Sequence, residues 1–215
     1  MNMKKASDGI LGVVITFAHE KLGLSPNQIS TIGLVAGSVA AGLVAAGFLV
    51  EGLAVLGLSQ IVDGLDGGVA RRYNLQSSKG QMLEVIFDRL NELAIFLALA
   101  FTGHASYFMA ILAFIAVLLV TLIEPLSHFD PGFKRFMIYF GYLATVLFHI
   151  KGFEVAMHVI FWANLAGFMF GTILVDYRLQ REIDEQAIIR RETEIALGVP
   201  QPPEDPPSFL SKLFS

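Results

Sequence analysis

Six stretches of this chain approach or reach the length and apolarity needed to cross a bilayer, and this limits the fold more than any other feature. A helix needs about 20 predominantly apolar residues to traverse about 30 Å of hydrocarbon. The stretches at about 29–50, 104–126, 134–150 and 153–175 read as ordinary spans. That at about 52–70 ends with Asp63 and Asp66, and that at about 81–101 opens with Glu84, Asp88 and Glu92. Composition agrees: 54% of the 215 residues are hydrophobic and only 16% charged, outside the balance of a soluble domain. We expect an all-α integral membrane protein with six transmembrane helices.

Lys and Arg collect in short loops on the cytoplasmic side of a membrane. With both termini cytoplasmic, an even number of spans places 14 of the 15 basic residues inside, Lys151 being the exception. The expectation is therefore a multi-pass protein whose acidic span ends face the cytoplasm, in the plasma membrane if the source is prokaryotic. Residues 1–24 hold Lys4, Lys5 and ILGVVITFA, then break into His19, Glu20 and Lys21; this reads as an amphipathic helix lying along the membrane rather than a cleaved leader. Residues 25–175 form the six-span domain. Residues 176–215 read as a charged cytoplasmic helix followed by a disordered tail, VPQPPEDPPS. A net charge of −4 argues against a nucleic-acid partner. The absence of Cys excludes disulfides, thiolate-bound metal and a thiol nucleophile.

Ionisable groups at membrane depth each cost on the order of 2.5–3.5 kcal/mol, so four carboxylates in adjacent spans call for a function. Residues three or four apart share a helix face, which pairs Asp63 with Asp66 and Glu84 with Asp88. Two such pairs face to face would form an oxygen cage suited to Mg²⁺, Mn²⁺ or Ca²⁺, with room for two ions. Gly64, Gly67, Gly68 and Ala70 clear a small-residue path around Asp66. Arg71 then offers a planar fork for phosphate oxygens, and Gly80 opens the next helix. Metal, phosphate-binding Arg and a small-residue cradle point to a nucleotide diphosphate.

The spacing Asp63-x2-Asp66-Gly67-x2-Ala70-Arg71-x8-Gly80-x3-Glu84-x3-Asp88 resembles the signature D-x2-D-G-x2-A-R-x8-G-x3-D-x3-D of the CDP-alcohol phosphotransferases. Seven of its eight specified positions match; Glu84 stands where the family has Asp. The resemblance covers about residues 25–175. It implies transfer of a substituted phosphoryl group from a CDP-alcohol to an acceptor hydroxyl, with release of CMP, in phospholipid synthesis. It also implies that Asp63, Asp66 and Asp88 are metal ligands with Glu84 in the fourth slot, that Asp88 is the general base, and that two Mg²⁺ or Mn²⁺ ions are held. Gly67, Ala70 and Gly80 would accommodate the cytidine, Arg71 its phosphates, and Asn27 in LSPNQIS would lie near the nucleotide. The resemblance further implies a homodimer.

Lys134 and Arg135, in DPGFKRF, suit either a phosphorylated acceptor or positive-inside anchoring. They tilt the expected acceptor toward an anionic, phosphorylated one, such as inositol phosphate or glycerol phosphate over serine, with a CDP-diacylglycerol as donor; the reverse arrangement, a water-soluble CDP-alcohol with a lipid acceptor, stays open. Arg89 is explained by pairing with Glu92. Gly33-x3-Gly37 and Gly167-x3-Gly171 permit close helix packing within a bundle or a dimer. Two other readings stay open: a weakened or silent homologue acting as a membrane partner, for which Glu84 is the support, and a cation-coupled transporter.

Overall fold

In the computed structural model, which describes residues 12–197, every regular element is helical. The amino-terminal part of the 1–24 segment and the Pro-rich tail lie outside the described residues. A short helix begins the described chain and ends in a π-helical turn, Phe17–Lys21. Six long helices follow: α1 (Pro26–Ala45), α2 (Leu49–Arg72), α3 (Ser78–Phe101), α4 (Tyr107–Ser127), α5 (Lys134–Phe148) and α6 (Gly152–Ala196). They coincide with the six apolar stretches. Four of them, α1, α2, α4 and α6, are long and apolar enough to cross a membrane. Helix α3 carries Lys79, Glu84, Asp88, Arg89 and Glu92, and α5 has only 15 residues, about 22 Å of rise. Helix α6 runs unbroken from the last apolar stretch into the charged segment, 45 residues in all.

Local sequence explains where the helices start. Ser25 accepts a hydrogen bond from Gln28 N while the Gln28 side chain reaches back to Ser25 N, a capping box completed by Pro26 in the first turn. Ser77 caps α3 by accepting from Gly80 N at 3.0 Å. Ser106 caps α4, and its own N–H and hydroxyl donate to Glu154 at the start of α6, which ties those two ends together.

Helix α1 is the axis of the amino-terminal half. It buries Gly33, Gly37, Ala40, Ala41 and Val44, small side chains that let both α2 and α3 pack close against it. A Cβ on Gly52 of α2 would sit 2.9 Å from Ala40 O of α1. Helices α2 and α3 are thereby held by α1 rather than pressed tightly on each other, which leaves a gap between their acidic faces. In the other half α6 packs on α4 and α5, where Gly141 and Gly152 bring α5 and the start of α6 into backbone contact. Gly167 and Gly171 meet Pro131 and Ile123 of the same chain, so that motif serves packing within the bundle.

The core joining the halves is built from Ile95, Phe96 and Leu99 of α3, Ala113 and Val117 of α4, Ile138 of α5 and Phe153, Met157 and Ile160 of α6. Outside it, large apolar side chains such as Val39, Leu58, Phe108, Leu122, Phe140, Trp162 and Phe170 are exposed. A soluble monomer does not present so much apolar surface, whereas a chain solvated by lipid does. The short amino-terminal helix docks on the end of α2: Ile15 fills the space beside Gly68, Arg72 donates to Gly12 O, and Tyr73 Oη donates to Glu20. Gly68 therefore serves helix packing rather than a ligand cradle.

Candidate active site

Antiparallel packing brings the start of α1, the end of α2 and the starts of α3 and α5 to the same end of the bundle, where every expected site residue lies. They form two adjoining hollows. The first is lined by Asn27 and Ser30 of α1, Asp66, Gly67, Ala70 and Arg71 of α2, and Gly80 and Glu84 of α3. All five residues expected to contact the nucleotide are in it. The two glycines account for its width. A Cβ on Gly80 would lie 3.1 Å from Asn27 Oδ1 and 3.0 Å from Ser77 Oγ, and one on Gly67 would lie 3.1 Å from Arg71 Nη1.

Asp66 is only 2% exposed. Its carboxylate accepts from Ser30 Oγ and from Gly67 N, each at 2.5 Å, so it is held rigidly at the floor of the hollow. Ser30 was not among the expected residues. Its signal in the sequence is the spacing Pro26-x3-Ser30, which puts its hydroxyl one turn into α1 and within 3.0 Å of Pro26 O.

The second, a narrow hollow, is lined by polar residues of three helices: Ser59, Gln60 and Asp63 of α2, Asp88, Asn91 and Glu92 of α3, and Lys134 and Arg135 of α5. Arg135 lies at its centre. Its Nη1 donates to Asp63 Oδ2 at 2.7 Å, its Nη2 pairs with Asp88 Oδ1, and its Nε lies 3.9 Å from Glu92 Oε1. Lys134 is drawn inward, 5% exposed, with Nζ 3.2 Å from Asp130 Oδ1. Arg89 pairs with Glu92 at 3.1 Å, the pairing read from the sequence, and also donates to Thr121 of α4.

The four carboxylates of the motif thus associate across the helices rather than along them. Asp66 and Glu84 line the first hollow, while Asp63 and Asp88 share a cation in the second. Among the described residues no three His, Asp or Glu side chains are drawn around one point as a preformed metal cage. The donor set is nonetheless the right one for a hard divalent cation, since it is oxygen only and carries high negative charge. The Arg135 guanidinium meets Asp63 through one terminal nitrogen and Asp88 through the other, so these two carboxylates flank one positive charge. In chemistry the residues fit such an ion.

The model of one protein family matches residues 23–174, described as CDP-alcohol phosphatidyltransferase. The chain belongs to that family. As a CDP-alcohol phosphatidyltransferase it is a transferase and an integral membrane protein. Curated proteins include no match to it. Among solved structures it is similar to phosphatidylinositol phosphate synthase of Mycobacterium tuberculosis in complex with manganese and citrate. That likeness has a TM-score of 0.66 and 17% identity, covering 77% of this chain and 88% of that one. It is also similar to the same synthase with CDP-DAG bound, with a TM-score of 0.59 and 18% identity over 80% of this chain and 92% of that one. At such identity these likenesses bear on the fold of the CDP-alcohol phosphatidyltransferase chain alone.

Proposed function

We propose that this chain transfers a phosphatidyl group from CDP-diacylglycerol to the hydroxyl of a small polar alcohol carrying a phosphate, and releases CMP. The observation that carries the reading is the convergence of Asn27, Gly67, Ala70, Arg71 and Gly80, from three helices, on one hollow floored by the buried Asp66. A solved structure of similar fold holds CDP-DAG and another holds manganese and citrate, which supports a lipid donor and a divalent ion here. The reading extends to six spans, a cytoplasmic site with both termini inside, and a homodimer.

In the reaction a bond forms between the acceptor oxygen and the phosphatidyl phosphorus, and the bond from that phosphorus to the CMP oxygen breaks. Asp63, Asp66, Glu84 and Asp88 would hold Mg²⁺ or Mn²⁺, which when bound offsets negative charge on the diphosphate and on departing CMP. The side chains of Gly67 and Gly80 are absent where the nucleotide base lies against backbone, and Arg71 holds the diphosphate oxygens. Asp88, in the wall of the second hollow, takes the proton of the acceptor hydroxyl as the new bond forms. Arg135, beside Asp88, pairs with the acceptor's phosphate. Lys134 is paired with Asp130 beside it, which leaves Arg135 as the cation for that phosphate.

The experiment is CMP release by the purified protein with Mg²⁺ or Mn²⁺ and CDP-diacylglycerol against inositol phosphate, glycerol phosphate and serine, with a chelated control. Metal-dependent release with a phosphorylated acceptor is the expected result. Silence across the panel by a folded protein would sink the proposal and favour the non-catalytic homologue that Glu84 leaves open.

A further inference from the structure

Helix α4 is apolar almost throughout. From Phe108 to Ile123 it carries one polar side chain, that of Thr121. A lone hydroxyl in such a helix ordinarily bonds back to its own backbone, and Thr121 Oγ1 does donate to Val117 O at 2.9 Å. With its proton committed there, the oxygen still accepts from α3, where Arg89 Nη1 donates to it at 3.2 Å. The same Nη1 lies 3.1 Å from Glu92 Oε2, and Arg89 Nη2 lies 3.9 Å from Asp88 Oδ2, beyond hydrogen-bond distance. The guanidinium is thus held between a hydroxyl of α4 and a carboxylate one turn along α3, a short movement away from Asp88.

Two demands fall on Arg89. Glu92 is 4% exposed, and a carboxylate buried to that degree needs a cation, which Arg89 supplies. Asp88, the residue next to it in sequence, has to stay clear of the same cation: Arg135 already pairs with Asp88 Oδ1, so a second guanidinium on Oδ2 would leave that carboxylate no oxygen for a metal ion or for a proton. A carboxylate is a stronger acceptor for a guanidinium than a hydroxyl is, so nothing in the chemistry of Arg89 itself keeps it off Asp88. We propose that Thr121 is a positioning residue whose hydroxyl tethers Arg89 toward α4, keeping Asp88 available for metal and proton while Arg89 neutralises Glu92. The inference rests on the transferase reading above, in which Asp88 has both duties. A hydroxyl suits the task because it accepts from Arg89 without bringing a charge into an apolar helix, where a charge would need its own partner. Helix α4, which lines neither hollow through Thr121, thereby acts on the site through one side chain.

Titration of the full chain in detergent with Mn²⁺, followed by electron paramagnetic resonance, reads the competition for Asp88 without relying on turnover. Thr121→Val keeps the shape of the side chain and removes the acceptor; it should weaken Mn²⁺ binding by about tenfold, the scale of one hydrogen bond to a charged group. Thr121→Ser, which keeps the hydroxyl, should bind Mn²⁺ as the wild type does. In an Arg89→Gln/Glu92→Gln background, where the competing cation and the carboxylate it serves are both neutral, Thr121→Val should change Mn²⁺ affinity by less than about twofold. CMP release by Thr121→Val should be slow at limiting Mn²⁺ and recover when Mn²⁺ is raised about tenfold, as mass action requires of a competitor and as damaged packing would not allow. The proposal is overturned by Mn²⁺ binding that Thr121→Val leaves unchanged, by a loss that Thr121→Ser shares, by an equal loss in the background without Arg89, or by a wild type that binds no Mn²⁺. Failure of the transferase reading looks different: Thr121→Val weakens Mn²⁺ binding, and the wild type releases no CMP.

Discussion

Arg135 reaches across 72 residues of sequence to donate from Nη1 to Asp63 Oδ2 at 2.7 Å, and the same guanidinium pairs with Asp88 of a third helix. One cation thereby joins the first and last acidic positions of the motif, and the amino-terminal half of the bundle to α5.

Removing that cation leaves two partly buried carboxylates without their counter-charge. Breaking a buried pair costs about 3–5 kcal/mol, and the partial exposure of all three groups brings the expected loss to about 2 kcal/mol. Arg135→Gln should therefore lower the melting temperature of chelator-treated protein, and Mn²⁺ should restore more stability to the variant than to the wild type. Equal stabilisation of the two by Mn²⁺ would show that Arg135 and the ion do not occupy the same neighbourhood.

Asp66 depends on Ser30 for its orientation. Ser30→Ala removes a charge-assisted hydrogen bond at the floor of the nucleotide hollow, a loss of about 1.5–3 kcal/mol, and frees the carboxylate to rotate. Steady-state kinetics should show CMP release slowed by about tenfold or more, with acceptor KM little changed. Asp66→Asn should go further and abolish turnover while circular dichroism shows the helices intact. Retained activity in Asp66→Asn would remove Asp66 from the chemistry.

Glu84 has one methylene more than the family's Asp, and α2 and α3 are spaced by α1 rather than packed on each other. The longer side chain suits that gap. Glu84→Asp withdraws the carboxylate by roughly one bond length, and displacements of about 1 Å cost on the order of 10²-fold in rate. We expect kcat to fall rather than rise in Glu84→Asp; a gain would mean that the wild-type site is a weakened one.

At Gly80 stability and binding should move in opposite directions. Ala in place of Gly within a helix gains about 0.5–1 kcal/mol, yet its Cβ would lie 3.1 Å from Asn27 Oδ1 and narrow the nucleotide hollow. Gly80→Ala should hold or raise the melting temperature while raising the KM for CDP-diacylglycerol about tenfold. A KM unchanged from wild type would place the nucleotide elsewhere.

Much of this was legible in the chain itself. Apolar length marks the six helices, Ser25, Ser77 and Ser106 set where three of them begin, and the spacing from Asp63 to Asp88 carries the family. These are local properties, governed by helical rise, by capping and by the chemistry of side chains a few residues apart. How the helices are rotated about their axes is not local. Asp63 and Asp66 share a face by periodicity, yet Asp66 ends against Ser30 and Asp63 against Arg135, because α1 and α5 flank that face from opposite sides. Glu92 reads as a partner of Arg89 from spacing alone, and that the same Arg89 is tied to Thr121 of α4 comes only from the packing of α4 on α3. Helix positions, family and acidic motif can all be read along the chain, since each follows from residues within a few turns of one another. Which carboxylate meets which partner was decided only by tertiary structure, because the small residues of α1 set how closely α2 and α3 approach, and no local pattern records that distance.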